Sequence, residues 1–197
     1  MKILSVSDKV CSEILETPSI AAQCRDVDLI ISCGDLPPEF LASLRNRFDA
    51  QLYYVLGNHD LRYDTSPPVG CSCIDRRIVS VGGYSLVGFS GSRWYNGGLN
   101  QYREREMSRR IRRLRFALWR SGGADIVVTH APARHIHDAE DRCHKGFTCY
   151  ERFIRKYRPS YFLHGHIHRL FKDDGERITV VDNTQVINTY GFYIFEI

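Results

Sequence analysis

Short apolar, β-branched runs recur along the chain, each closed by a glycine, asparagine, aspartate or proline turn. Lys2–Ser7, Leu29–Cys33, Leu52–Leu56, Arg77–Val81, Ser85–Phe89, Ile126–Thr129 and Tyr161–Leu163 read as strands. Ile178–Val181, Gln185–Asn188 and Phe192–Glu196 follow, the first pair separated by the Asp182-Asn183 turn and the last preceded by Gly191. Three segments change to a helical period. Pro38–Phe48 opens on a proline pair and carries Phe40, Leu41, Leu44 and Phe48 on one side. Arg103–Ser121 spaces Met107, Ile111, Leu114 and Leu118 at helical intervals and stops at Gly122-Gly123. Phe147–Tyr157 repeats the pattern with Phe147, Tyr150, Phe153 and Ile154 before Pro159. Many strands with helices between only some of them predict an α/β fold with mixed sheets. No repeat or linker divides the chain, so residues 1–197 read as one domain.

The order of polar residues sharpens this picture. Asp8, Asp35, Asn58, His130 and His166 each fall just past the C-terminal end of a hydrophobic strand. Open α/β sheets gather their ligands there, because loops from several strand ends converge on one crevice. Five blocks carry them: Ser7-Asp8, Gly34-Asp35, Gly57-Asn58-His59-Asp60, Thr129-His130-Ala131-Pro132 and Gly165-His166-Ile167-His168. Two carboxylates, an amide oxygen and several imidazoles suit Mn²⁺, Fe or Zn²⁺ better than Ca²⁺. Asn58 and His59 are chain neighbours, so one is expected to ligate while the other reaches the substrate.

From Asp8 to His168 these blocks resemble the signature of the calcineurin-like metallophosphoesterases. The resemblance implies a four-layer α-β-β-α sandwich with two mixed β-sheets. It implies hydrolysis of a phosphate ester at a pair of divalent cations, Mn²⁺ first among the candidates. Asp35 would bridge the two. Asp8 and His168 would hold the first metal, and Asn58, His130 and His166 the second. His59 would stand at the leaving-group oxygen, oriented by Asp60. One position departs from the pattern. The first block is ordinarily D-x-H, but here it reads Asp8-Lys9-Val10, and valine has no donor atom, so the first site is expected to bind its metal more weakly. The chain has no long insertion that would build a substrate lobe, which favours a diester over a monoester. Relatives that serve as protein-assembly scaffolds set a rival expectation, and a nuclease acting on RNA or DNA sets another.

Charge and composition refine the choice of partner. The net charge of +4 is uneven: residues 101–120 hold eight arginines and two glutamates, contributing +6 and leaving −2 for the rest. With apolar positions at 107, 111, 114 and 118, most of these arginines read as a solvated helix face. A small phosphorylated substrate, such as a nucleotide, is therefore preferred over nucleic acid. The loop Ser90–Gly98 combines glycines, a cation and two aromatics, so Arg93 is the candidate for substrate phosphate and Trp94 or Tyr95 for a base. Two clusters after His130, Arg134-His135-x-His137-Asp138 and Asp141-x-x-His144, read equally as pocket lining or as salt-bridged surface. His164 alternates inward and reads as a core histidine. Seven scattered cysteines and no export signal suggest reduced thiols in a cytoplasm, with no membrane segment. A zinc held by Cys71, Cys73, Cys143, His144 and Cys149 is the minor alternative, since the spacing fits no common zinc pattern.

Overall fold

The computed structural model describes residues Met1–Ile197. Its strands β1 (Lys2–Ser7), β2 (Leu29–Ser32), β3 (Gln51–Tyr54) and β4 (Ser72–Cys73) are joined in that order by parallel pairing. The last strand of the chain, β13 (Gly191–Glu196), adds antiparallel to the open side of β1. A second sheet runs β11 (Ile178–Val181), β12 (Thr184–Asn188), β10 (Tyr161–His164), β9 (Ile126–Thr129), β6 (Tyr84–Phe89), β5 (Ile78–Val81). Its four central strands are parallel and its two edge strands antiparallel. Both sheets are thus mixed. A two-residue ribbon, β7 (Ser92–Arg93) with β8 (Gln101–Tyr102), lies outside them.

The alternation along each strand explains how the sheets stack. Side chains of successive residues point to opposite faces. Ile3, Leu29, Ile31, Ile126, Val128, Leu163 and Ile187 are all buried in one core between the two sheets. Their neighbours Leu4, Val6 and Ile30 face a second core, shared with Phe40, Leu41 and Leu44 of α3 (Pro38–Phe48). On the other side, Val87, Val127, Phe162 and Val186 face a third core, with Met107, Leu118, Tyr150 and Phe153 from the outer helices. Three cores require four layers, so the sandwich expected from the sequence is what forms. Strands covered on both faces read as unbroken apolar runs, which is why their pattern was strong.

The helices depart from the pattern more than the strands. Two short ones, α1 (Glu13–Glu16) and α2 (Pro18–Gln23), fill the first crossover between parallel strands. The helix expected over Arg103–Ser121 is broken into α4 (Glu104–Arg113) and α5 (Arg115–Arg120). The amide of Leu114 donates back to Ile111 O at 3.0 Å, a tight turn that ends the first helix. The final helix, α6 (Thr148–Tyr157), packs beside α4. No helix is long and apolar enough to cross a membrane.

Candidate metal centre

Parallel strands within each sheet bring their C-terminal loops to one edge, and two contacts tie the edges of the two sheets together. His130, just past β9, sets Nδ1 at 2.9 Å from the Cys33 carbonyl past β2. The amide of His166, past β10, donates to both carboxylate oxygens of Asp8, past β1, at 3.1 and 2.9 Å. Gly165 allows this approach. A Cβ there would meet Asp8 Oδ2 at 2.5 Å and Ser7 Oγ at 2.7 Å.

At the centre, His130 Nε2 lies 3.0 Å from Asn58 Oδ1, 3.1 Å from His166 Nδ1 and 3.3 Å from Asp35 Oδ2. Donor atoms of Asp35, His130 and His166 all fall within 4.8 Å of one another. The protons of the two rings can be assigned from their outer contacts. A carbonyl only accepts, so His130 Nδ1 carries a hydrogen for Cys33, and His166 Nε2 carries one for the Cys143 carbonyl at 2.8 Å. In neutral rings the inner nitrogens are therefore lone pairs. They face the Asn58 oxygen, whose amide nitrogen is turned away to donate to Tyr95 Oη at 3.2 Å, and the Asp35 carboxylate. Lone pairs from four residues then converge on one point, an arrangement that could hold a cation.

The charge balance says the same. Burial opposes charging His130, yet the Asp35 carboxylate, with Asp8 behind it, carries its pKa up to about 9. Burial likewise opposes ionising Asp35, but His130 and the His59 amide, which donates to Asp35 Oδ1 at 2.7 Å, hold it down to about 2. His166 moves the other way: burial and the neighbouring His130 charge push it down to about 4. The cluster has room for one positive charge and favours it. In the absence of a metal, a proton on His130 supplies that charge.

Asp8 and His168 stand beside this cluster. The Asp8 carboxylate is fully buried, with His168 Nε2 at 3.4 Å, while the His168 ring is 59% exposed. Its hydrogen bond to Asp8 raises the pKa of His168. Val10 is exposed and offers this region nothing. Asp8, Asp35 and His166 all hold left-handed backbone, with φ of 62°, 56° and 68°. Such residues cost roughly 1–2 kcal/mol each outside glycine, so the surrounding structure spends stability to aim these three side chains.

Around the centre, several sequence expectations are refined. His59 is exposed at the mouth, and its ring makes no hydrogen bond. Asp60 does not orient it. Its carboxylate accepts instead from Gly57 N at 2.7 Å and Asp35 N at 2.9 Å, bracing the two loops that carry Asn58 and Asp35. Burial, reinforced by the Asp35 charge, pushes Asp60 up to about 6. Arg93 donates to the Gly146 carbonyl at 3.2 Å, so it holds the loop to the segment before α6. The loop residue that reaches the centre is Tyr95, through Asn58. Trp94 lies farther out, 47% exposed, with Arg103 over its ring at 5.3 Å.

The remaining clusters resolve differently. Arg134 is bound by Asp138 and Glu140, each at 2.6 Å, a salt-bridged surface. His137 Nδ1 pairs with buried His164 Nε2 at 2.9 Å, and burial lowers both pKa values, keeping the pair neutral. His144 stands against the His166 ring, centroids 5.4 Å apart, and holds Asp141 at 3.0 Å. The cysteine site does not form: Cys71 and Cys73 pack against the α3 side of one sheet, and Cys149 belongs to the core under α4 and α6. Two sheets separate them.

The sequence model of the calcineurin-like phosphoesterase family matches residues 9–170, and the chain belongs to that family. The match starts one residue after Asp8 and spans all the other blocks. No curated protein matches the chain closely enough to count as a relative. Among solved structures, the calcineurin-like phosphoesterase YfkN from Bacillus subtilis superposes with a TM-score of 0.60 at 12% identity, covering 98% of this chain and 83% of that one. A putative 5′-nucleotidase from Staphylococcus aureus gives 0.58 at 13% identity over 99% of this chain, which spans only 50% of the nucleotidase. GAP50, described as the anchor in the inner membrane complex of Plasmodium, gives 0.56 at 12% identity over 95% of this chain and 70% of that one. At such identities these likenesses establish the fold alone.

Proposed function

We propose that residues 1–197 act as one domain that hydrolyses a phosphate ester, a diester in preference to a monoester, with two divalent cations, Mn²⁺ first. The observation that carries this reading is the convergence of four residues' lone pairs on a single point, each backed by an outer hydrogen bond. Asp35, Asn58, His130 and His166 would hold one cation. Asp8 and His168, with Asp35 between, would hold the other. When bound, such cations lower the pKa of a water and neutralise phosphoryl oxygens. The protein's own part is to fix the donors and keep one free acid at the opening. His59 fills that last role, since its unbonded, exposed ring can approach a leaving oxygen. Asp60 is a positioning residue. The seven free thiols support a reducing, cytoplasmic setting, and a small phosphorylated compound such as a nucleotide fits the open mouth as substrate.

The test is release of p-nitrophenol from bis(p-nitrophenyl) phosphate and from p-nitrophenyl phosphate by Mn²⁺-loaded protein. His59→Ala should lower turnover by about 10²- to 10⁴-fold, the usual contribution of a positioned acid or base, with metal content unchanged. Full metal occupancy with no turnover of either ester would move the protein to the scaffold reading.

The first site yields a second expectation. With valine at position 10, calorimetric titration of metal-free protein should show one tight and one weak Mn²⁺ site. Val10→His adds a donor and should tighten the weaker site by at least the 10- to 100-fold that an outer-shell partner commonly supplies. Two equally tight sites in the unaltered protein would contradict the ligand assignment.

A further inference from the structure

Away from the metal cluster, three adjoining hollows along α4, α5 and α6 form a groove, the first two sharing Arg112 and Arg152 and the last two Arg115 and Lys156. Its walls carry Arg105, Arg109, Arg112 and Arg115 from one side and Arg152 and Lys156 from the other. All six side chains belong to exposed residues, and none makes a salt bridge. The nearby carboxylates are already used. Glu104 accepts from Thr148 N and Cys149 N, Glu106 accepts from Arg103 N, and Glu151 pairs with Arg155. Six cations against the one lining carboxylate, Glu104, leave the groove strongly net positive. At its far end, Phe116 and Trp119 are 66% and 76% exposed, with centroids 5.8 Å apart, beside Arg115 and Lys156.

A solvated helix face would scatter its cations around one helix and bury or avoid its aromatics. Here cations of two different helices face one another across a channel that ends on an aromatic pair. We infer that this groove binds single-stranded nucleic acid, with phosphates along the α4–α6 cations and an unstacked base on Phe116 and Trp119. The charge pattern favours a polyanion. The bare ring faces favour one that carries flat bases, because every base offers a π-face to an aromatic side chain. An acidic peptide would satisfy the cations and leave the rings without a partner. At 1.5 Å per residue α4 runs about 15 Å and α5 about 9 Å, together long enough to track several nucleotides.

The groove also leads somewhere. Its near end is Glu104 and Thr148, and the segment just before Thr148 supplies the Gly146 carbonyl to Arg93 and the Cys143 carbonyl to His166. A strand lying in the groove would thus end beside a segment that touches the metal cluster. That it is also a substrate rests on the proposed hydrolysis; binding to the groove does not.

The experiment separates the two. Fluorescence anisotropy of a labelled oligo(dT) of about 15 nucleotides is followed in EDTA while KCl is raised. Six phosphate contacts should give a slope of log K against log salt near about −4, and the triple variant Arg109→Gln/Arg112→Gln/Arg152→Gln should halve it to about −2. Trp119→Ala should weaken binding by about 5- to 150-fold without changing the slope, the equivalent of one lost stacked base. These side chains are exposed, so circular dichroism and melting should match the unaltered protein, and turnover of bis(p-nitrophenyl) phosphate should be untouched. Binding that ignores salt, or an unchanged affinity in the triple variant, would overturn the inference. So would a polyglutamate peptide that binds as tightly as the oligonucleotide while Trp119→Ala has no effect, which would assign the groove to an acidic protein.

Discussion

Asp35→Asn should reduce hydrolysis of bis(p-nitrophenyl) phosphate by about 10³-fold, at the upper end of what removing one preorganised electrostatic group causes, and should weaken Mn²⁺ binding about a hundredfold or more. The substitution is nearly isosteric. The asparagine oxygen can still accept from the His59 amide, and the main-chain amide can still donate to Asp60. What it removes is the one carboxylate at the centre of the lone-pair cluster. That carboxylate attracts the positive charge on His130 and is itself held at about 2 by it. Without it, a cation placed there would be left with neutral donors on the Asn58 and His130 side. Two measurements distinguish a lost ligand from a lost fold. Metal content by elemental analysis should fall, while far-ultraviolet circular dichroism of the metal-free variant should match that of the metal-free parent, its melting lowered by loss of the buried Asp35–His130 pair. An Asp35→Asn protein that retains both its metals and its turnover would remove the basis of the proposed chemistry.

The residues of the centre were legible because each is announced by its neighbours. A strand buried on both faces reads as an apolar run, and the polar residue that ends it is conspicuous: Ser7 then Asp8, Thr129 then His130. Boundaries were less legible where tertiary contacts decide them. The two-residue strands β4, β7 and β8 have no period to read, and α1 and α2 are too short for an apolar stripe. The break at Leu114 is a backbone event inside a continuous helical pattern. The groups that orient the ligands were invisible for another reason. Cys33 and Cys143 act through their carbonyls, which every residue possesses, so nothing in a cysteine marks the role. The opposed cations were hidden by distance along the chain. Arg109 and Arg112 look like a solvated face until Arg152 and Lys156 are seen across the groove. Asp60 shows the converse error: adjacency to His59 suggested a contact, but the turn directs its carboxylate back to Gly57 and Asp35.

Gly57→Ala should lower the melting temperature by about 5–10 °C, with loss of metal binding, although alanine is an unstrained residue at this position. The backbone of Gly57 does not need a left-handed conformation, so the substitution adds a single methyl group and no torsional cost. That methyl would lie 1.9 Å from Asp35 Oδ1 and 2.4 Å from its carboxyl carbon, far inside contact distance. An exposed side chain would swing away. Asp35 is not free to do so, because its Oδ1 is fixed by the His59 amide at 2.7 Å and its own amide by Asp60 at 2.9 Å. Gly57 is fixed as well, donating to the same Asp60 oxygen at 2.7 Å. Overpacking a fixed site costs about 1–3 kcal/mol, and at this chain length each kcal/mol shifts melting by about 2–4 °C. The same change at Gly175 is the control. There the nearest atom is the Asp173 carboxylate oxygen at 3.0 Å, on an exposed side chain held by a single hydrogen bond from the Gly175 amide, so a small shift of that side chain relieves the contact. A Gly57→Ala protein that melts with the Gly175→Ala control and still takes up Mn²⁺ would mean that the Asp35 loop is looser than its hydrogen bonds imply. The left-handed strain at Asp35 would then have no rigid frame to sustain it.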